Sequence, residues 1–177
     1  MAEARYHKRI MADIGPPPGA VHELAEQAVD FVRRSTKIGL DYTPETLPVL
    51  DHYLRDVPEA RPELVGLVAT AAGIYFGEVV RRRLGGEWIT EGNDAREWEI
   101  ETELGLGFRP VGVAAEAIVR MDTEEGSFEV PEEDRDAMED VLDQEVAEDE
   151  YYSLAGRLET FEKIHQVLAA RRAARQQ

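Results

Sequence analysis

Residues 64–80 read LVGLVATAAGIYFGEVV, and this stretch decides the fold. Drawn as a helix at 100° per residue, it is apolar around most of its circumference. Such a helix is usually the buried centre of a domain, and a stripe of small residues lets a neighbouring backbone come close. We therefore predict a core helix. The small residues share one side of it: Gly66, Thr70, Gly73 and Gly77.

Glu78 interrupts the most apolar face of this helix, and Arg82 follows it by one helical turn. A carboxylate four residues before a guanidinium is the favourable order for an ion pair. One hypothesis is a partly buried ion pair that orients the end of the helix. The other is a general acid or ligand-anchoring carboxylate near Trp88, with a pKa raised by burial. We favour the ion pair, because buried charges need partners whether or not they catalyse anything.

Charge and cysteine content limit the partners and the cellular locations that we expect for this protein. The chain has 177 residues with 37 acids, 20 bases and a net charge of −17, which opposes direct nucleic-acid binding. Cysteine is absent, which suits a cytoplasmic location and excludes disulfides and thiolate metal sites. The uncharged run 64–77 is 14 residues long, shorter than the roughly 18 to 20 residues of a membrane span, so we predict no membrane contact.

We predict an α+β, mainly helical fold with a central buried helix and a small antiparallel sheet of two to three strands. Residues 1–19 end in GPPPG and are predicted to be a flexible arm, followed by one globular domain over 20–177 with an acidic, helical C-terminal part, 122–177. Alternating side chains predict strands at 88–90 and 97–104, and a third at 126–130. The glutamates on one face of the second strand favour a solvated surface over a cation site: Glu99, Glu101 and Glu103.

Negative charge is concentrated in residues 122–150, which contain fifteen acids and only one base, Arg135. We predict a helix from Glu132 to about Asp149 that presents this charge to a basic protein partner. The alternatives are a solvated helix that aids solubility, and a nucleic-acid mimic that inhibits a DNA-binding protein. The predicted partner-binding residues are Glu132, Glu133, Asp136, Glu139, Asp140 and Asp143.

A last helix is predicted from Tyr151 to about Arg172. Its apolar seam follows alternating three- and four-residue steps. Packing against the chain's own core is the ordinary explanation, and a homodimer or partner-helix contact through 151–168 is the alternative. The seam consists of Tyr151, Leu154, Leu158, Phe161, His165 and Leu168.

Motifs for catalysis and cofactors are missing from the sequence. It has neither a nucleophile elbow nor a phosphate loop, and its histidines lack the spacing of a zinc site. We therefore predict no catalytic residue, no cofactor and no metal, and we expect a protein that is not an enzyme.

One region, residues 40–113, resembles a pattern in small bacterial domains of unknown function. The resemblance rests on LDYTPETL at 40–47, YFGEVV at 75–80 and GGEW at 85–88. It implies a bacterial cytoplasmic protein and brings no assigned activity. From the concentration of negative charge in residues 122–150, we expect an interaction or regulatory module, with a small-ligand or enzymatic site around Glu78 and Arg82 as the alternative.

Overall fold

The computed structural model describes residues 17–143 and 145–176, with only the backbone of Asp140. Residues 1–16, which make up most of the predicted arm, lie outside this description. The predicted α+β, mainly helical class is confirmed, with four strands in the sheet. The helices are α1 (Gly19–Thr36), α2 (Leu47–Arg55), α3 (Pro62–Leu84), α4 (Pro110–Val119), α5 (Glu139–Leu142), α6 (Glu148–Tyr151) and α7 (Leu154–Arg175); the strands are β1 (Glu87–Ile89), β2 (Glu99–Glu101), β3 (Gly107–Phe108) and β4 (Phe128–Glu129).

Helix α3 forms the centre of the fold. Pro62 lies in its first turn, where a missing N–H costs nothing, and Gly85 ends it with φ of 78°. The helix is long and apolar enough to cross a membrane, but 67% of its most apolar window is buried inside the fold. Nearly every residue from Val68 onward is buried, so α3 is the core helix of a folded domain.

Helix α4 packs closely on α3 at the glycine stripe. A Cβ atom added to Gly73 would lie 2.5 Å from the Pro110 carbonyl oxygen and 2.5 Å from the Val111 Cα. A Cβ added to Gly77 would lie 2.5 Å from the Trp88 ring. Gly66, about two turns before these contacts, faces open space. The stripe therefore serves close packing only in its second half.

The sheet is a four-stranded antiparallel meander in the order β1-β2-β3-β4. Trp88 pairs with Ile100, and Ile100 also pairs with Phe108. The strand predicted at 126–130 is shortened to β4, which pairs with β3. Strand β3 was not predicted, because it has only two residues and one of them is glycine. Its Phe108 packs against Phe161 of α7, with ring centroids 4.6 Å apart, and this contact joins the sheet to the C-terminal helix.

The prediction of one acidic helix from Glu132 to Asp149 is wrong. The chain forms a 3-10 helix at Glu132–Met138, the single turn α5, an extended Ala147 and the single turn α6. Carboxylates repeat four residues apart along this segment, and like charges at that spacing destabilise an α-helix. The segment is therefore a chain of short turns over the surface.

Helix α7 packs against the chain's own core. Asp51 of α2 accepts hydrogen bonds from the backbone N–H groups of Leu154 and Ala155, at 2.7 and 3.1 Å, and so caps the start of α7 from across the fold. The predicted position of Tyr151 in the seam is wrong: it ends the separate helix α6 and is 44% exposed. The rest of the seam is buried in the core: Leu154, Leu158, Phe161, His165 and Leu168.

The close approach of α3 and α4 predicts opposite effects for two alanine substitutions in one helix. Gly73→Ala forces the α4 backbone away and should lower the free energy of unfolding by about 1–3 kcal/mol. Gly66→Ala meets no neighbour and should raise it by about 0.5–1 kcal/mol, because alanine loses less chain entropy than glycine in a helix. Urea unfolding followed by circular dichroism measures both values, and equal stabilities would contradict the packing.

Candidate functional site

Glu78 lies at the junction of α3 and β1, and its carboxylate is 1% exposed. Arg81 donates two hydrogen bonds to it, from Nε to Oε2 and from Nη2 to Oε1, both 2.8 Å long. Arg82 Nε donates to Oε1 at 2.8 Å, and Trp88 Nε1 donates to Oε2 at 3.2 Å. The structure thus brings together Glu78, Arg82 and Trp88, and adds Arg81, which the sequence analysis did not single out.

These contacts determine the ionisation of Glu78. Burial by itself favours the neutral acid, but hydrogen bonds from Arg81 and Arg82, the charge of Arg81 and the Trp88 donor outweigh it. The pKa of Glu78 is therefore lowered from its ordinary value of 4.5. A carboxyl group with a lower pKa in the folded chain stabilises the fold above that ordinary value, and this contribution is lost as pH falls through the lowered pKa.

Two stacked tyrosines lie beside the ionic cluster. The Arg82 guanidinium lies 4.3 Å from the centroid of the Tyr42 ring, and that ring stacks on Tyr75 with centroids 4.8 Å apart. Tyr42 has φ of 63°, an unfavourable backbone for an aromatic residue, and its N–H donates to the Tyr75 hydroxyl at 2.9 Å. The Tyr42 hydroxyl donates to Glu26. Packing and hydrogen bonds thus hold Tyr42 in place.

The Glu78 cluster has the features of a structural ion pair. A general acid near neutral pH needs a raised pKa, whereas the pKa of Glu78 is lowered. Both carboxylate oxygens already accept hydrogen bonds from protein donors. The geometry therefore favours the orienting ion pair over the ligand-anchoring carboxylate.

The acidic segment 122–150 presents most of its charge to solvent. Thirteen of its fifteen acids are exposed, and the exceptions are Asp134, which is buried, and Asp140, whose side chain lies outside the described residues. The other predicted partner-binding residues are all exposed: Glu132, Glu133, Asp136, Glu139 and Asp143.

Asp134 attaches the acidic segment to the end of α7. Its carboxylate is 1% exposed and accepts hydrogen bonds from Arg171 at 2.5 Å and from Arg175 at 2.8 Å. Burial would raise its pKa, but the hydrogen bonds and charges of these two arginines outweigh it, and the pKa of Asp134 is lowered. Arg171 also donates to the Glu133 carbonyl oxygen at 3.0 Å. The basic C-terminus is therefore an internal anchor for the acidic segment.

Two further arginines hold the two ends of the segment. The Arg120 guanidinium binds Glu148 at 3.2 Å and Asp149 at 2.5 Å, so that α6 lies beside the end of α4. Glu116, 3% exposed, accepts a hydrogen bond from the Thr123 N–H at 2.6 Å and one from Arg157 at 2.9 Å. These contacts fix the start of the segment against α4 and α7.

A cleft of about 410 Å³ lies between β2, the acidic segment and the end of α7. Its wall contains Glu101 and Glu103 of the predicted glutamate face, whereas Glu99 pairs with Arg109 at 2.9 Å. Arg172, also in the wall, donates to the Glu103 carbonyl oxygen at 3.0 Å. Among residues 17–143 and 145–176, no group of three histidine, aspartate or glutamate side chains could hold a metal ion.

Sequence reasoning missed the internal anchors for one common reason. Asp134, Asp51 and Glu116 each have at least one arginine or backbone partner that is between 37 and 104 residues away in the chain. Only the opposite charges of 122–150 and the basic C-terminus offered a signal for one of them.

The Glu78 cluster predicts a large stability difference between two glutamate-to-glutamine variants. Glu78→Gln leaves the buried Arg81 and the half-buried Arg82 without their shared counter-charge and should lower the free energy of unfolding by about 3–5 kcal/mol. Glu99→Gln breaks the exposed pair with Arg109 and should cost about 0–1 kcal/mol. Urea unfolding near pH 7 measures both values. A loss below about 1 kcal/mol in both variants would contradict the structural importance of the cluster.

Comparison with known proteins gives no match: no family model, no curated protein and no solved structure is significantly similar to this chain.

Proposed function

We propose that this protein is a cytoplasmic, non-enzymatic interaction or regulatory module whose segment 122–150 binds a basic protein partner. The observation that carries the proposal is the exposure of thirteen acids along one segment of 29 residues. Exposed charge of one sign steers an oppositely charged partner and raises its association rate. A basic partner is the complementary choice.

The internal anchors support this proposal because they fix the position of the segment on the fold. Arg171 and Arg175 bind the buried Asp134, and Arg120 binds Glu148 and Asp149. The segment is thus held to the fold near its middle and near its C-terminal end. The chain between these points does not have to become ordered on binding, which keeps the entropic cost of association low.

The alternative site at Glu78 receives less support. Its carboxylate is buried, ionised and hydrogen-bonded to Arg81, Arg82 and Trp88, so a ligand would have to displace existing partners. The lack of cysteine is compatible with the proposed cytoplasmic location.

Affinity capture with three forms of the protein tests the proposal. The wild type should capture a basic protein from a lysate of its own cells, and raising the salt from about 0.05 M to about 0.3 M should release it, because exposed charges are screened. A variant with four segment charges removed should lose the partner. That variant is Glu132→Gln, Asp136→Asn, Glu139→Gln and Asp143→Asn.

A matched control removes the same number of exposed charges outside the segment. The control should capture the same partner as the wild type. This result would show that binding depends on the charges of the segment and not on the net charge of the protein. Identical captured proteins in all three forms would refute the proposal. If the captured partner is a DNA-binding protein and added DNA releases it from this protein, the result supports the alternative of a nucleic-acid mimic. The control carries Glu23→Gln, Glu59→Gln, Glu63→Gln and Glu91→Gln.

A further inference from the structure

His165 is an imidazole buried on the core-facing side of α7, with an exposed fraction of 7%. It follows Phe161 by four residues and precedes Leu168 by three, so the three side chains share one face of the helix. Phe161 packs against Phe108 of the sheet. His165 therefore lies one turn beyond the contact between α7 and the sheet.

The ring of His165 lacks the partner that a buried polar group normally has. Within the part of the chain that the structure describes, burial and the charge of Glu103 are the influences on its pKa, and no hydrogen bond is among them. A neutral imidazole tolerates such a place far better than a charged one, because a buried charge needs partners to replace its lost water. The packing of α7 is thus suited to neutral His165.

The pKa of His165 is lowered from its ordinary value of 6.5, because burial outweighs the opposing charge of Glu103. When a base has a lower pKa in the folded chain than in the unfolded chain, the unfolded chain binds more protons. The contribution of neutral His165 to stability is therefore complete above pH 6.5 and is lost as the pH falls below this value.

Most charged groups on the elements that pack against α7 already have partners. Glu103, in the turn after β2, has an exposed side chain whose charge acts on His165. A protonated imidazole is thus drawn out of the core toward Glu103 and water. The paired groups are Asp51 with the first turn of α7, Arg83 with Glu162, Glu116 with Arg157, Arg120 with Glu148 and Asp149, and Asp134 with Arg171 and Arg175.

The face of α7 that contains His165 leads to the anchor of the acidic segment. Leu168 and Arg172 continue this face, and both line the cleft that Glu103 and Asp134 also line. Arg172 donates to the Glu103 carbonyl oxygen at 3.0 Å, which joins the end of α7 to the turn after β2. His165 thus lies about two helical turns from the residues of α7 that border the acidic segment.

We propose that His165 is an acid-sensitive switch that controls the attachment of the acidic segment to α7. Protonation moves the imidazole toward Glu103 and water, which loosens the last turns of α7 on the fold. Arg171 and Arg175 belong to these turns, so they then release Asp134. An Asp134 carboxylate without its arginines does not stay buried, and the segment leaves the cleft with it.

Histidine is the residue type whose charge changes between about pH 7.5 and about pH 5.5. The anchor itself does not titrate in this interval, because the pKa of Asp134 is lowered from its ordinary value of 3.8. The other described histidines, His22 and His52, are exposed and can be protonated without a change in packing. The switch therefore depends on His165.

The consequence for a partner protein rests on the proposed function. An attached segment binds without becoming ordered, whereas a released segment has to become ordered again on binding. Acid pH should therefore weaken the binding of a basic partner.

Amide hydrogen exchange at two pH values, corrected for the intrinsic exchange rate at each pH, tests the switch. In the wild type, residues 128–143 and 166–175 should exchange roughly tenfold faster at about pH 5.5 than at about pH 7.5. This factor is expected because an opened imidazole with the ordinary pKa of 6.5 is about ten times more often protonated than neutral at the lower pH. Residues 68–80 of α3 should not change.

Two substitutions remove the titrating group and should abolish the change with pH. His165→Leu matches the neighbouring Leu168, and His165→Gln keeps a polar side chain, so either variant tests the switch if the other does not fold. The matched control His52→Gln removes an exposed histidine and should keep the tenfold change. A tenfold change that persists without His165 would overturn the inference, because carboxyl groups would then be responsible.

Two results in the wild type would also overturn the inference. One is equal protection of both segments at the two pH values, and the other is an equal increase in exchange for α3, which would mean that the whole domain unfolds. The measurement needs no partner protein, so its result is independent of the capture experiment. A protein that shows the switch but captures no basic partner would refute the proposed function alone.

Discussion

The buried carboxylate of Glu78 lies in the apolar part of α3, and its two oxygens accept four hydrogen bonds from three side chains. A buried charge is tolerated only when partners replace the lost water. Arg81 and Arg82 supply those partners from the next turn of α3, and Trp88 supplies another from β1. The ion cluster thus fixes the angle at which the chain leaves the core helix and enters the sheet.

That junction positions the rest of the molecule. The Trp88 ring packs on Gly77, and Trp88 pairs with Ile100 in the sheet. Phe108 of the third strand then packs against Phe161 of α7, the helix whose end carries the arginines that bind Asp134. A continuous path of contacts therefore runs from the buried carboxylate to the acidic segment. The path begins at one buried acid, Glu78, and ends at another, Asp134.

Local sequence patterns were sufficient to predict the helical core, but they could not predict contacts between residues that are far apart in the chain. The apolar run of 64–80 predicted the buried α3, and the spacing of Glu78 and Arg82 anticipated their ion pair. By contrast, β3 is a strand only because β2 and β4 pair with it. Asp134 became a buried anchor because Arg171 and Arg175 arrive from α7, and no local pattern distinguishes it from its exposed neighbours. The prediction of an acidic helix was wrong because it did not take into account the repulsion between carboxylates four residues apart.

The ionisation of Glu78 most directly tests whether this carboxylate is structural. Carbon-13 NMR of the glutamate side-chain carboxyl groups, with Glu78 assigned by comparison with Glu78→Gln, follows it as the pH is lowered from 7. A structural ion pair predicts that Glu78 stays ionised down to its ordinary pKa of 4.5 and below, because Arg81 and Arg82 stabilise the charge. A protonation midpoint at or above pH 4.5 would contradict the structural role and make Glu78 a candidate general acid again.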